Sequence, residues 1–212
     1  MRVEIWSDVV CPWCYLGKRR FENALAQVPF GTEVEVVHRS FQLDPSAPTD
    51  HTVETKKMLA TKYGMSPERA DAVQREMEER AAADGLEYHL DGQEFGNTFT
   101  AHRLLQLARE RGRQSELIEA MYRAYFTEQQ SVFDDASLTA LAVEAGLEAA
   151  EVSAVLNSDQ FTDAVEADIE QAREYGISGV PFYVLDGKYG VSGAQSTDVF
   201  VQALEQAHAA AV

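Results

Sequence analysis

Val9-Val10-Cys11-Pro12-Trp13-Cys14-Tyr15 holds the only two cysteines of the 212-residue chain, spaced Cys-x-x-Cys. Just before it, Val3-Glu4-Ile5-Trp6 alternates and predicts a strand. Just after it, the run from Leu16 to Leu25 predicts a helix. In that setting Cys11 stands at the helix N-terminus and Pro12 at the first helical position, where a missing N–H costs nothing. Residues three apart share a helix face, so Cys14 comes up beside Cys11 within bonding reach. The free N–H groups and positive dipole end of the helix favour a thiolate at Cys11, the reactive form of a thiol. This pattern is a nucleophile with a resolving thiol behind it.

The same spacing also occurs in zinc knuckles. A structural zinc site usually draws four Cys or His ligands from paired clusters. This chain has no second Cys pair, and His38, His51, His89, His102 and His208 show no His-x3-5-His spacing. Redox chemistry is therefore expected, with no metal and no bound cofactor, because the redox equivalents reside in the two sulfurs.

The chain carries 35 acidic and 18 basic residues, a net charge of −17, which argues against nucleic acid or an anionic membrane as a partner. No run approaches the roughly 18 apolar residues of a membrane span. The N-terminal residues enter the first strand at once, with no charged region, apolar stretch or cleavage site. A cytoplasmic protein is expected. Two cysteines at this spacing in a reducing compartment point to catalysis rather than to a structural staple.

Further along, Thr32 to Phe41 alternates as a second strand, and strand–helix–strand suggests a βαβ unit with a parallel pair. Residues 44–50, with two prolines and two aspartates, form a breaker-rich exit from that unit. From there to about residue 175 the periodicity is helical. Ser66-Pro67-Glu68 is a cap followed by a first-turn proline, and residues 88–96 read as loop. Ala101, Leu104, Leu105 and Ala108 form one apolar stripe, and Ile118, Met121, Tyr122 and Tyr125 a second. Leu138, Leu141, Ala142 and Ala145 form a third. Val152, Val155 and Leu156 predict a short helix, and Phe161, Val165, Ile169 and Ala172 a longer one. Beyond Gly176-Ile177-Ser178-Gly179-Val180-Pro181, Phe182 to Leu185 predicts a strand, Asp186-Gly187 a two-residue turn, and Lys188 to Ser192 the returning strand. A last amphipathic helix carries Val199, Phe200, Ala203, Leu204 and Ala207. The reading is βαβ, a helical block, then ββα. It divides the chain into residues 1–45, a helical insertion over 46–176, and residues 177–212.

With Cys-Pro-Trp-Cys at one end and Gly-Val-Pro-Phe-Tyr-Val before a hairpin at the other, the chain resembles an α/β thioredoxin fold carrying a large all-helical insertion. More narrowly, it resembles the DsbA-like oxidoreductases of the FrnE type over essentially its full length. The resemblance implies that Cys11 attacks, Cys14 resolves, and Val180-Pro181 is a cis peptide facing them. The Val180 backbone groups would then face outward and pair with an extended substrate. Pro12 and Trp13, between the thiols, are expected to meet the substrate, and Trp6, Asp8 and Trp13, flanking the cysteines, are expected to shape the cleft. Like charge raises a thiol pKa, so Asp8 would oppose a nearby thiolate.

The hydroxychromene-carboxylate isomerases and kappa-class transferases share this fold and insertion, and Asn97-Thr98-Phe99-Thr100-Ala101-His102-Arg103 resembles an insertion helix start found in both branches. Asn97 and Thr98 are thus candidates for the substrate cleft or for capping their helix. Those glutathione-dependent enzymes typically have Ser in place of Cys11, lack Cys14, and present an Asp-Arg pair after the last strand. Here Gly193-Ala194 leads to Gln195-Ser196 instead. The expected function is a dithiol–disulfide oxidoreductase acting on disulfide-containing proteins or low-molecular-weight thiols, regenerated by a separate reductant. Its rivals are a thiol-dependent isomerase or transferase of that glutathione branch, and a non-enzymatic metal-binding or chaperone module.

Overall fold

The structure, a computed structural model, describes residues 1–210. The chain divides into two compact units: Met1–Leu43 with everything from Phe161 onward, and Asp44–Gln160.

The first unit is a four-stranded sheet, ordered β2-β1-β5-β6, with helices on both faces. Strand β1 (Arg2–Ser7) pairs in parallel with β2 (Glu35–Ser40), and the crossover between them carries helix α1 (Pro12–Leu25). On its other side β1 pairs antiparallel with β5 (Phe182–Leu185), which turns into β6 (Tyr189–Ser192). Asp186 and Gly187 both have positive φ, the geometry that lets a two-residue turn follow the twist of the strands.

Alternation along β1 decides what covers each face. Val3 and Ile5 join Phe21, Ala24, Tyr183, Phe200 and Leu204 in the core beneath α1 and α9 (Thr197–Ala209). Trp6 points the other way and packs with Ala172, Ile177 and Val184 beneath α8 (Thr162–Glu174). Burying each of the large apolar side chains among these contributes about 1.5–3 kcal/mol.

Helix α8 corrects the expected division, which ran the insertion to residue 176. Its Asp168 is buried against β2, accepting from Arg39 Nη1 at 2.7 Å and from the Ser40 amide at 3.0 Å. The Asp168 carbonyl takes the Trp6 indole N–H at 2.8 Å. Glu4 is the second partner of Arg39. These bonds, together with the Trp6 cluster, make α8 part of the sheet unit.

The second unit is mostly helical: α2 (Thr55–Tyr63), α3 (Pro67–Ala83), α4 (Phe99–Glu110), α5 (Gln114–Phe126), α6 (Asp135–Glu144) and α7 (Ala149–Leu156). Ser66 caps α3 by accepting from the Arg69 amide. The expected stripes on α4 to α7 are buried, save that Leu156 is only partly so.

Three local expectations need correction. Residues Gly31–Glu33 form a 3-10 turn, so the second strand starts at Glu35 rather than Thr32. The stretch expected to be wholly helix and loop contains a two-residue ladder, β3 (Val53–Glu54) against β4 (Glu94–Phe95), too short for alternation to reveal. Phe161 is the N-cap of α8 with φ of 66°, not its first apolar turn.

Candidate active site

The active-site loop is a tight turn. Asp8 ends it on one side, and the Cys11 amide donates back to the Asp8 carbonyl at 3.1 Å. Cys11 then stands at the N-cap in extended conformation with Pro12 at the first helical position, and the Cys14 amide donates to the Cys11 carbonyl at 2.9 Å. Both cysteines are free thiols, 4% and 2% exposed. Trp13, between them in sequence, is 42% exposed.

Val180 and Pro181 meet this loop. Their peptide is cis, and the Cys11 thiol donates to the Val180 carbonyl at 3.7 Å. The Pro181 carbonyl is already occupied by the Gly193 amide at 2.8 Å. Cys11, Pro12, Cys14, Val180 and Pro181 therefore belong to one site, bordered by the exposed ring of Trp13.

The two thiols differ in their surroundings. Burial pushes the Cys14 thiol well above its ordinary pKa, and the hydrogen bond and charge of Cys11 push the same way. A backbone hydrogen bond at Asp8 works in the opposite direction, while the negative charge of Asp8 adds to the rise. Asp8 is buried, with Oδ2 accepting from the Leu43 amide at 2.8 Å, so this charge is fixed in place.

Four residues of this region were not singled out from sequence. Gly17, one turn beyond Cys14, lets α1 approach β5: a Cβ there would lie 2.6 Å from the Tyr183 hydroxyl oxygen and 3.0 Å from Pro181 Cγ. Tyr183 itself is fully buried. Lys18, at i+4 from Cys14, is buried and donates to Glu22 at 2.6 Å. His38, beside Ile5 on the neighbouring strand, is pushed down to about 3 by burial and then by the Lys18 cation. The one sequence signal for Lys18 was its spacing, which puts a cation on the face that Cys14 shares.

Asn97 and Thr98 belong to the second unit. There the Asn97 side chain accepts from the Phe99 amide at 2.9 Å and donates to the Ala47 carbonyl at 3.0 Å, and Thr98 is the buried N-cap residue of α4. In the same unit His102 is buried on α4. Arg103 uses its guanidinium on the carbonyls of Val155, Ser158 and Gln160, closing the C-terminal end of α7. Among the described residues, no group of three or more His, Cys, Asp or Glu side chains is arranged to hold a metal ion. No helix among them is long and apolar enough to cross a membrane.

Among solved structures, a "probable DsbA oxidoreductase" from Streptomyces coelicolor is 54% identical, covering 99% of this chain and 90% of its own, with a TM-score of 0.95. More distant chains share the fold. A 2-hydroxychromene-2-carboxylate isomerase is 17% identical over 97% of this chain and 95% of its own, with a TM-score of 0.72. The cytosolic disulfide reductase DsbM of Pseudomonas aeruginosa is 16% identical over 97% and 98%, with a TM-score of 0.66. The family model for the DSBA-like thioredoxin domain matches residues 2–205, which takes in both cysteines, the helical insertion and the cis-proline loop, and the chain belongs to that family.

Proposed function

We propose that this protein is a cytoplasmic dithiol–disulfide oxidoreductase of the FrnE type, in which Cys11 attacks a substrate disulfide and Cys14 resolves the mixed disulfide that forms. The observation that carries this reading is the Cys11 thiol at a helix N-terminus, 3.7 Å from the Val180 carbonyl, with a buried second thiol one turn behind it. The Cys11 sulfur attacks one sulfur of the substrate, and the other leaves as a thiolate and takes up a proton. The Cys14 thiolate then attacks Cys11, releasing the second substrate thiol and leaving a Cys11–Cys14 disulfide. Two electrons pass from the enzyme to the substrate, and a separate dithiol reductant restores the enzyme.

Trp13, Pro12, Val180 and Pro181 contact the substrate in this scheme, with an extended segment lying along the Val180 backbone. Asn97 is assigned to its helix cap and to the Ala47 carbonyl, since both ends of its amide are engaged there. Reduction is the expected net direction in a reducing compartment, the direction named for the cytosolic reductase that shares the fold.

Insulin-disulfide reduction driven by a dithiol tests the activity, with Cys14→Ser as the trapping variant. Stable mixed disulfides on Cys11 of that variant, together with loss of turnover, are the expected result. Turnover that survives loss of Cys14 would instead support an isomerase or transferase reaction needing one thiol.

A further inference from the structure

Tyr183 carries a group that its packing does not use. Its ring lies between Phe21, with centroids 5.2 Å apart, and Phe200, at 4.6 Å, an environment that phenylalanine would fill equally well. Its hydroxyl is buried and has no hydrogen-bond partner among the described residues. An unsatisfied buried hydroxyl forfeits its hydration without replacement, so a side chain that keeps one invites a state in which it is satisfied.

The location of the hydroxyl indicates that state. It lies against the backbone of Gly17, where a Cβ would be 2.6 Å from its oxygen. Gly17 follows Cys14 by three residues and so shares its face of α1. The same Cβ would lie 3.0 Å from Pro181, placing the hydroxyl between the helix of the thiols and the loop that carries Val180. Burial pushes the hydroxyl well above the ordinary tyrosine pKa, and negative charge on Cys14 and then on Cys11 adds to the rise. The hydroxyl therefore keeps its proton and is available as a hydrogen-bond donor rather than as an acid.

We propose that the Tyr183 hydroxyl donates a hydrogen bond to the Cys14 thiolate while that sulfur attacks Cys11 in the resolving step. This rests on the redox reading above. In that step the Cys14 thiol gives its proton to solvent base, and its electron pair forms the bond to Cys11 Sγ. The bond from Cys11 to the substrate sulfur breaks, and that sulfur leaves with the electron pair and is protonated by solvent. The donor is used only while Cys14 carries negative charge. It offsets part of the penalty that burial places on this thiolate.

Tyr183→Phe removes the hydroxyl and keeps the ring. Cys11 is first loaded with thionitrobenzoate from Ellman's reagent, and release of the second thionitrobenzoate is followed by stopped flow from pH 5 to 9. A hydrogen bond to a charged group is worth about 1.5–3 kcal/mol, which is roughly a tenfold or greater loss of rate. Release should slow by about that factor at neutral pH, with the midpoint of its pH profile moved upward. Loading of Cys11 should keep its wild-type rate, and thermal stability should hold or rise because an orphan hydroxyl has gone. Equal release rates and superimposed pH profiles in the two proteins would overturn the proposal. So would a slowing that is the same at every pH and accompanied by a lower Tm, since that is the mark of a packing role. If wild-type Cys11 does not load, or release persists in Cys14→Ser, the redox reading itself has failed, and the two failures are read from different phases of one trace.

Discussion

The amide of Cys14 donates to the carbonyl of Cys11 at 2.9 Å, so the two thiols leave the same first turn of α1 and yet meet different surroundings. The sulfur of Cys11 turns to the Val180 carbonyl. Burial, and after it the neighbouring Cys11, work against a thiolate at Cys14, and the negative charge of Asp8 adds to this. The two thiols are thereby distinguished by their surroundings, as the proposed roles of attacking and resolving thiol require.

The first prediction concerns that distinction. Each unit by which a thiol pKa is raised removes about tenfold of its reactive thiolate at neutral pH. Limiting iodoacetamide at pH 7 should modify Cys11 at least about tenfold faster than Cys14 in the reduced protein, as read by mass spectrometry of the peptide that contains both. Faster labelling of Cys14 would reverse their roles.

His38 gives a pH-dependent stability. Its folded value is about 3 against an ordinary 6.5. Below pH 6.5 the unfolded chain therefore binds a proton that the folded chain refuses, so stability falls as pH drops from 6.5 towards 3. The loss is about 1.4 kcal/mol per pH unit within that window. Urea unfolding at pH 7, 6 and 5 should show the wild type losing stability relative to His38→Gln at about that rate. Parallel curves would show that His38 takes up its proton in the folded state.

Asp168 tests what keeps α8 on the sheet. It is buried and accepts from Arg39 and from the Ser40 amide. Removing one partner of a buried pair typically costs about 3–5 kcal/mol, and the Arg39 side chain keeps 16% of its surface exposed, so Asp168→Ala should cost about 3 kcal/mol in urea unfolding. A cost below about 1 kcal/mol, the range of surface ion pairs, would mean that the Trp6 cluster alone seats the helix.

How much of this was legible in the sequence follows from how local each cause is. Cys11 with Pro12, the Ser66 cap, the Asp186-Gly187 turn and the stripes on α4 to α6 each declare themselves within a few residues, and they gave the order of elements and the thiol pair. Arg39 and Asp168 lie 129 residues apart, and no periodicity announces that such a pair will move α8 from the insertion to the sheet unit. In the sequence Lys18 is one residue of a helix and Tyr183 one residue of a strand, and nothing local marks either as buried beside the thiols. What distinguishes these two is a neighbour from another element, which only the folded chain supplies.

The last prediction is the redox potential. DsbA is a strong oxidant at about −120 mV because its reduced form is stabilised, whereas thioredoxin lies at about −270 mV. That gap of roughly 150 mV corresponds to about 7 kcal/mol. A reduced form gains stability when its thiolate is favoured over its thiol. Here the residue between Pro12 and Cys14 is Trp13, whose indole can donate one hydrogen bond but carries no charge. Behind it, burial and then the neighbouring Cys11 raise the Cys14 thiol, the negative charge of Asp8 adds to that rise, and the chain as a whole carries a net charge of −17. All three disfavour negative charge at the pair and so favour its disulfide. The Cys11–Cys14 couple should therefore equilibrate against glutathione at a potential nearer thioredoxin's than DsbA's. Trp13→His would add a ring that can carry positive charge at an exposed position beside the thiols, raising the potential by at least about 30 mV, the equivalent of about 1.4 kcal/mol. Asp8→Asn should move it the same way by removing a fixed negative charge, while the amide oxygen keeps the bond from Leu43. A wild-type value close to −120 mV, or no upward shift in either variant, would show that the balance is set by something other than charge around the two sulfurs.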